Sequence, residues 1–282
     1  MRNCWCFLFI LFFADSTSLA AELKAETVAA FDRYIRLAEK QMDEDLAHQK
    51  YLSIDTQPDA VRDKVYEQLH KGEVLVERRS ASNVPDGLIH HWVGRAFIPG
   101  ASLDQVLKLL KSYNDYPKIY APEVVQAQIL KHQADEFKVA LRLRKHKVVS
   151  VLLVTEYEVH FTRIDPHHAY SRSYSTRIAE VEHPSEPSER ELPPGNDHGF
   201  LWRIYTYWHL VEKDNGVYAQ CEAISLTRDV PAGLGWLVGR FIESIPRESL
   251  LFTLDSTRNV LSKNSGERSA ALSKNQSTKT WR

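Results

Sequence analysis

The chain has 282 residues, 43% of them apolar and 26% charged, which is the make-up of an ordinary globular protein with ample material for a core. Its formal net charge is -1. That balance excludes a global attraction to nucleic acid or to an anionic membrane surface, so no nucleic-acid partner is expected and any membrane contact needs a local patch.

Residues 1–20 read as a signal peptide. Arg2 supplies one positive charge, Trp5 to Phe13 is an unbroken apolar run, and Ser18-Leu19-Ala20 has the small-x-small pattern that signal peptidase cuts after. The run is too short to cross a ~30 Å hydrocarbon core as a stable helix. A retained anchor is the alternative; cleavage implies an exported protein, periplasmic or secreted. Cleavage also removes Cys4 and Cys6 and leaves Cys221 alone, so no internal disulfide can form. Cys221 sits in an alternating apolar pattern, where a free thiol behaves as a small buried hydrophobe.

Residues 21–72 form an N-terminal helical segment. Val28, Phe31, Ile35, Ala38 and Met42 recur at three- and four-residue steps. A second helix starts at Asp55-Thr56-Gln57-Pro58, carries Val61, Val65 and Leu69 on one face, and stops at Gly72. Each helix has one apolar face and is expected to dock on the main domain, residues 73–263.

There the period changes. Glu73 to Arg79 and Leu88 to Ile98 read as strands about the turn Asn83-Val84-Pro85-Asp86-Gly87. Ser102-Leu103-Asp104-Gln105 is a capping box, followed by the stripe Leu103, Val106, Leu107, Leu110 and Tyr113. Six strands follow, near 123–132, 136–145, 148–163, 168–182, 199–212 and 217–229. Most are joined by short turns, which demand antiparallel hairpins. The exception is His183 to His198, rich in Pro, Ser, Glu and Gly, which reads as a long loop and a candidate lid. From Leu234 to Leu261 the apolar residues describe one long helix with Pro246 inside it. Residues 264–282 read as a disordered tail.

The order is strand pair, helix, six-strand meander, long helix. A curved antiparallel sheet gripping one helix leaves a cavity between them, and the class is α+β. This order, with the strand-to-helix segment Ala96-Phe97-Ile98-Pro99-Gly100-Ala101-Ser102-Leu103-Asp104-Gln105-Val106, resembles the helix-grip, START-like superfamily. That superfamily includes START domains, plant pathogenesis-related allergens, polyketide cyclases and coenzyme Q-binding START-type proteins. The stretch Glu191 to Trp202 is similar to a group of uncharacterised exported bacterial members. The resemblance implies binding of an apolar or amphipathic small molecule (a lipid, isoprenoid or aromatic compound), with a minority of members doing chemistry.

Around Asn215-Gly216, a two- or four-residue loop puts Trp202, Ile204, Thr206, Trp208 and Leu210 on one face with Ala219, Cys221, Ala223 and Ser225. Bulky rings then oppose small residues, which makes room for a ligand. Tyr174, with Arg172 or Arg177 as polar anchor, is placed with them, although cross-strand ion pairs to Glu156, Glu158, Glu180 or Glu222 are the plainer role for the arginines. Trp236 and Phe241, in a glycine-rich helix start, are candidate gate residues. Arg142 to Lys147 concentrates positive charge at a hairpin and could touch anionic lipid head groups transiently. The histidines lack metal-ligand spacing, and no nucleophile elbow or phosphate loop exists, so neither metal, cofactor nor catalytic residue is assigned. The expected role is a carrier or sensor in preference to an enzyme. The alternatives are a cyclase-type enzyme with a cavity acid–base residue, or an interaction module working through its N-terminal helices.

Overall fold

The computed structural model describes residues 21–146, 150–229 and 240–277, with side chains for 22–146, 150–229 and 244–262. A short strand β1 (Ala21–Glu22) precedes α1 (Ala25–Ala47); a 3-10 turn at Ser53–Thr56 leads into α2 (Asp59–His70). Pro58 stands at the N-cap of α2, and Gly72 leaves the helix at φ +86°, a conformation a glycine adopts without strain. The hairpin β2 (Leu75–Val84) and β3 (Gly87–Pro99) is followed by α3 (Leu103–Lys111) and α4 (Tyr116–Ile119). At the start of α3 the capping box closes: Gln105 N–H donates to Ser102 Oγ at 3.3 Å, and Ser102 N–H donates to Gln105 Oε1 at 2.8 Å. Then come β4 (Val124–Gln133), β5 (Glu136–His146), β6 (Ser150–Arg163), β7 (His168–Glu182), β8 (Arg190–Glu191), β9 (Asn196–Asp197), β10 (Arg203–Lys213), β11 (Gly216–Arg228) and α5 (Arg240–Ser277).

The main sheet runs β2-β3-β11-β10-β7-β6-β5-β4, antiparallel throughout, with β8 added beside β7. The meander returns its last strand to the first hairpin. The β10–β11 loop has two residues, Asp214 and Asn215, both at φ +56°, the primed turn whose twist matches that of the strands.

Helix α5 lies against the inner face. Leu250 and Leu254 pack on Ala96 and Cys221, and the approach is tight at Gly94, where a Cβ would stand 2.4 Å from Leu254 Cδ1 and 2.9 Å from Leu250 Cγ. Glycine inside a strand here marks close approach of another element. On the outer face, Phe31, Ile35 and Met42 of α1 pack with Tyr207, Ile224 and Leu226. Leu69 of α2, with Leu52 and Ile54, covers Phe97 and Tyr218. Thus helices pack on both faces of the sheet, on the outer one against β3, β10 and β11. The N-terminal helices turn Phe31, Ile35, Met42 and Leu69 toward the sheet, while Leu37 of α1 and Val61 of α2 stand 70% and 48% exposed.

Two segments differ from the sequence reading. Residues 183–198 are tied down: β8 pairs with β7, β9 pairs with β1, and the buried Glu180 carboxylate accepts the N–H groups of His198 at 3.1 Å and Phe200 at 2.9 Å. Helix α5 continues past Asn264 to Ser277, since extending a formed helix needs no new nucleation. The helix start expected at Leu234 lies outside the described residues. Among those described, no helix is long and apolar enough to cross a membrane.

Candidate functional site: the cavity between sheet and terminal helix

The register across β10 and β11 pairs Trp208 with Cys221, Thr206 with Ala223 and Ile204 with Ser225. All six line a cavity of about 330 Å³ enclosed by the sheet, α3, α4 and α5, within the size range of small-molecule sites. Small residues on β11 stand opposite larger ones on β10, and the space left over is the cavity. β7 extends this wall with Ser171 and Ser173, opposite Trp208 and Thr206.

Four residues expected at the ligand lie elsewhere. Tyr174 and Arg172 are on the outer face, since the β7–β10 register aligns Tyr174 with Tyr205 and Arg172 with Tyr207. There Tyr174 donates to Glu39 of α1 at 2.8 Å and Arg172 pairs with Asp43. Arg177 pairs with Glu191 of β8. Three of the four glutamates proposed as partners bind elsewhere: Glu156 binds Lys138, Glu180 binds His198 and Glu222 binds His91. Trp202 precedes β10, so the strand's alternation does not govern it; it is buried under α1, and its Nε1–H donates to Asp197 at 3.1 Å. Trp236 and the side chain of Phe241 lie outside the described residues.

Among the described residues the cavity holds instead one charged pair, absent from the sequence-based site. Lys145, from β5, and Glu123, just before β4, line it together and bond directly. Burial lowers the Lys145 ammonium from its usual range, opposed by Glu123. The pair lies at the β5–β6 hairpin end, where Lys145 faces Val151 across the strands and Phe200 and Leu201 also line the space. A signal was present: Phe137, Val139, Leu141 and Leu143 are apolar at alternate positions, and Lys145 continues that inward parity. Of the basic hairpin, Arg142 is also spoken for, by Glu189 at 2.9 Å, while Arg144 and His146 are exposed.

The roof is aromatic. Tyr113, Tyr116 and Tyr120 enter from the α3–α4 region and Tyr157 from β6. Their hydroxyls have internal partners: Tyr116 donates to Leu110 O at 2.7 Å, and Tyr120 shares a 2.9 Å bond with Thr257. Burial raises all four phenols, Tyr157 to about 12, so they stay protonated at neutral pH. On α5, Ser249 and Thr253 face the cavity, yet each hydroxyl donates to the carbonyl four residues back at 2.8 Å. The helix therefore shows the cavity a nearly apolar surface despite its hydroxyls. Burial also raises the Cys221 thiol, which keeps it uncharged and inert. Among the described residues no cluster of three His, Cys, Asp or Glu could hold a metal ion.

A curved antiparallel sheet, its first hairpin closed onto its last strand, gripping a C-terminal helix over a cavity, is the START-like helix-grip α+β fold. No family model matches the sequence, and no curated protein matches it. Among solved structures, the chain is similar to a STAR-related lipid transfer protein fragment from Xanthomonas axonopodis, with 18% identity, 64% of this chain and 97% of that one covered, and a TM-score of 0.44. It is also similar to human STARD10 (12% identity, 72% and 80% covered, TM-score 0.38) and to the Zhui aromatase/cyclase from Streptomyces sp. R1128 (15%, 64% and 95%, 0.37).

Proposed function

We propose that the protein is an exported carrier or sensor that holds one amphipathic small molecule in the sheet–helix cavity. The observation that supports this is the cavity's lining: aliphatic and aromatic walls, tyrosine and α5 hydroxyls already bonded within the protein, and, among the described residues, a single charged pair, Lys145–Glu123, at one end. Such a site rewards an apolar body, through burial worth roughly 25 cal/mol per Å², and one polar head near Lys145. The Lys145–Glu123 pair takes the anchoring role first given to Arg172 and Arg177. A lipid, isoprenoid or aromatic compound with an acidic or hydrogen-bonding head fits this description. Export rests on residues 1–20 and is tested by N-terminal sequencing of the protein from a non-cytoplasmic fraction, where a start at Ala21 is expected.

The binding test uses a fluorescent polyene fatty acid and its methyl ester. The acid should bind saturably, the ester more weakly, and Ala223→Trp, which fills the cavity, should weaken the acid at least about tenfold, a change of ~1.4 kcal/mol. Organic extracts of the purified protein should contain a discrete apolar compound. Undiminished binding by a folded Ala223→Trp variant would refute the cavity as the site.

A further inference from the structure

The sheet carries a second pocket on its opposite face, about 350 Å³, between α1, the connection after it and the outer surfaces of β3, β10 and β11. Its polar lining resolves into groups that are satisfied and groups that are not. His91 is bonded on both sides, Nδ1 to Tyr34 Oη at 2.8 Å and Nε2 to Glu222. Burial alone would raise Glu222, but the bond to His91 and the electrostatic attraction of that ring hold its carboxyl below the usual range, so this pair is a closed unit. Gln220 Oε1 accepts from Ser53 N–H at 3.0 Å, Ser53 Oγ at 2.8 Å and Arg95 Nε at 3.0 Å. Three donors on that oxygen fix which way the amide faces.

Two groups are left over. His209 Nδ1 is fully buried without a hydrogen bond, and with Gln220 Oε1 taken by three donors the amide's remaining hydrogen-bonding group is its Nε2 donor. Both residues are more than nine-tenths buried, with exposures of 2% and 7%, and both line the pocket. They are also direct cross-strand partners. Side chains so paired start about 5 Å apart, so an amide donor and an imidazole nitrogen stand side by side. Burial lowers His209 from 6.5, so at neutral pH the ring is uncharged and keeps one lone pair. A buried polar atom without a partner is destabilising, and few side-chain atoms among the described residues are left so. The charges around the pocket, Asp45 against Lys50 and Arg79, are of mixed sign and select no ion.

We infer that this outer pocket is a second ligand site, separate from the sheet–helix cavity, for a small uncharged molecule with a carboxamide-type edge. The ligand's carbonyl accepts from Gln220 Nε2, and its N–H donates to a ring nitrogen of His209. The ring or chain of the ligand rests on Ala38 and Met42 of α1. Primary amides, cyclic imides and lactams share this donor–acceptor edge.

The test titrates the full chain with benzamide and, separately, with benzoate, reading the His209 imidazole signals by NMR. Benzamide should shift them saturably, with a Kd near ~1 mM as befits so small a probe. Benzoate, which is anionic and has no N–H to donate, should bind at least about tenfold more weakly, ~1.4 kcal/mol. Gln220→Leu should abolish the benzamide response, while Ala223→Trp, in the other cavity, should leave it intact. Should either variant fail to fold, the amide–acid comparison in the unaltered protein decides. Equal responses to the two probes, no saturable shift, or a benzamide-soaked crystal with only ordered water on Gln220 and His209 would overturn the assignment.

Discussion

Replacing Gly94 by alanine tests how α5 is seated. Taken alone, Gly→Ala in a strand interior gains about 0.5–1 kcal/mol, because glycine loses the most backbone freedom on folding. Here the added carbon would sit 2.4 Å from Leu254 Cδ1 and 2.9 Å from Leu250 Cγ, whereas carbon atoms pack best at ~3.5–4.0 Å. The overlap of about 1 Å must be relieved by moving Leu254 off its rotamer or lifting the helix, and overpacking of this kind costs about 1–3 kcal/mol. In a domain of this size that is a fall in Tm of roughly 2–12 °C, the opposite sign to the backbone effect. Leu250 lines the cavity, so the affinity for an apolar probe should change as well. A double-mutant cycle makes the test specific. Leu254→Ala alone should cost about 2–5 kcal/mol, but combined with Gly94→Ala it vacates the space the new methyl needs, so the pair should couple favourably by roughly 0.5–3 kcal/mol. The assay is thermal or urea unfolding of the four proteins. An unchanged or raised Tm for Gly94→Ala, or strict additivity in the cycle, would refute the close seating of the helix.

Three further outcomes are expected. Glu39 accepts from Tyr174 at 2.8 Å and Tyr207 at 3.0 Å, so Glu39→Ala should loosen α1 and cost about 2–4 kcal/mol in urea unfolding, whereas Glu39→Gln should lose less. Burial and the neighbouring Glu180 carboxylate raise Asp197 above its ordinary 3.8, against the bonds from Gly199 and Trp202. Since the folded-state pKa is the higher one, stability is lost as pH rises from the ordinary value through the raised one; Asp197→Asn should therefore be the more stable protein at pH 7, with the difference vanishing below pH 3.8. Burial keeps the Cys221 thiol protonated, so Ellman's reagent should leave it untouched in the native protein at pH 8 and modify it fully in guanidinium; rapid native reaction would contradict the buried position.

What local sequence could determine, it did. Alternating apolar residues marked the strands, Ser102 and Gln105 marked the start of α3, and the short loop at Asp214-Asn215 set which faces of β10 and β11 agree, placing Trp208, Cys221, Ala223 and Ser225 together on the cavity. Each of these rests on neighbours a few residues apart. The wall contributed by β7 was beyond such reasoning, because residues 183–202 separate it from β10, and a one-residue change in register swaps every side chain between faces. Only the folded sheet set that register, sending Arg172 and Tyr174 outward to Asp43 and Glu39 and bringing Ser171 and Ser173 inward. A bulge at Thr176 shifts the alternation once more before Arg177. The Lys145–Glu123 pair and the couple of His209 and Gln220 arise in the same way. Burial and pairing belong to tertiary contacts between distant segments, and those contacts decide whether a polar residue in the chain becomes a surface charge, a structural bond or a group that awaits a ligand.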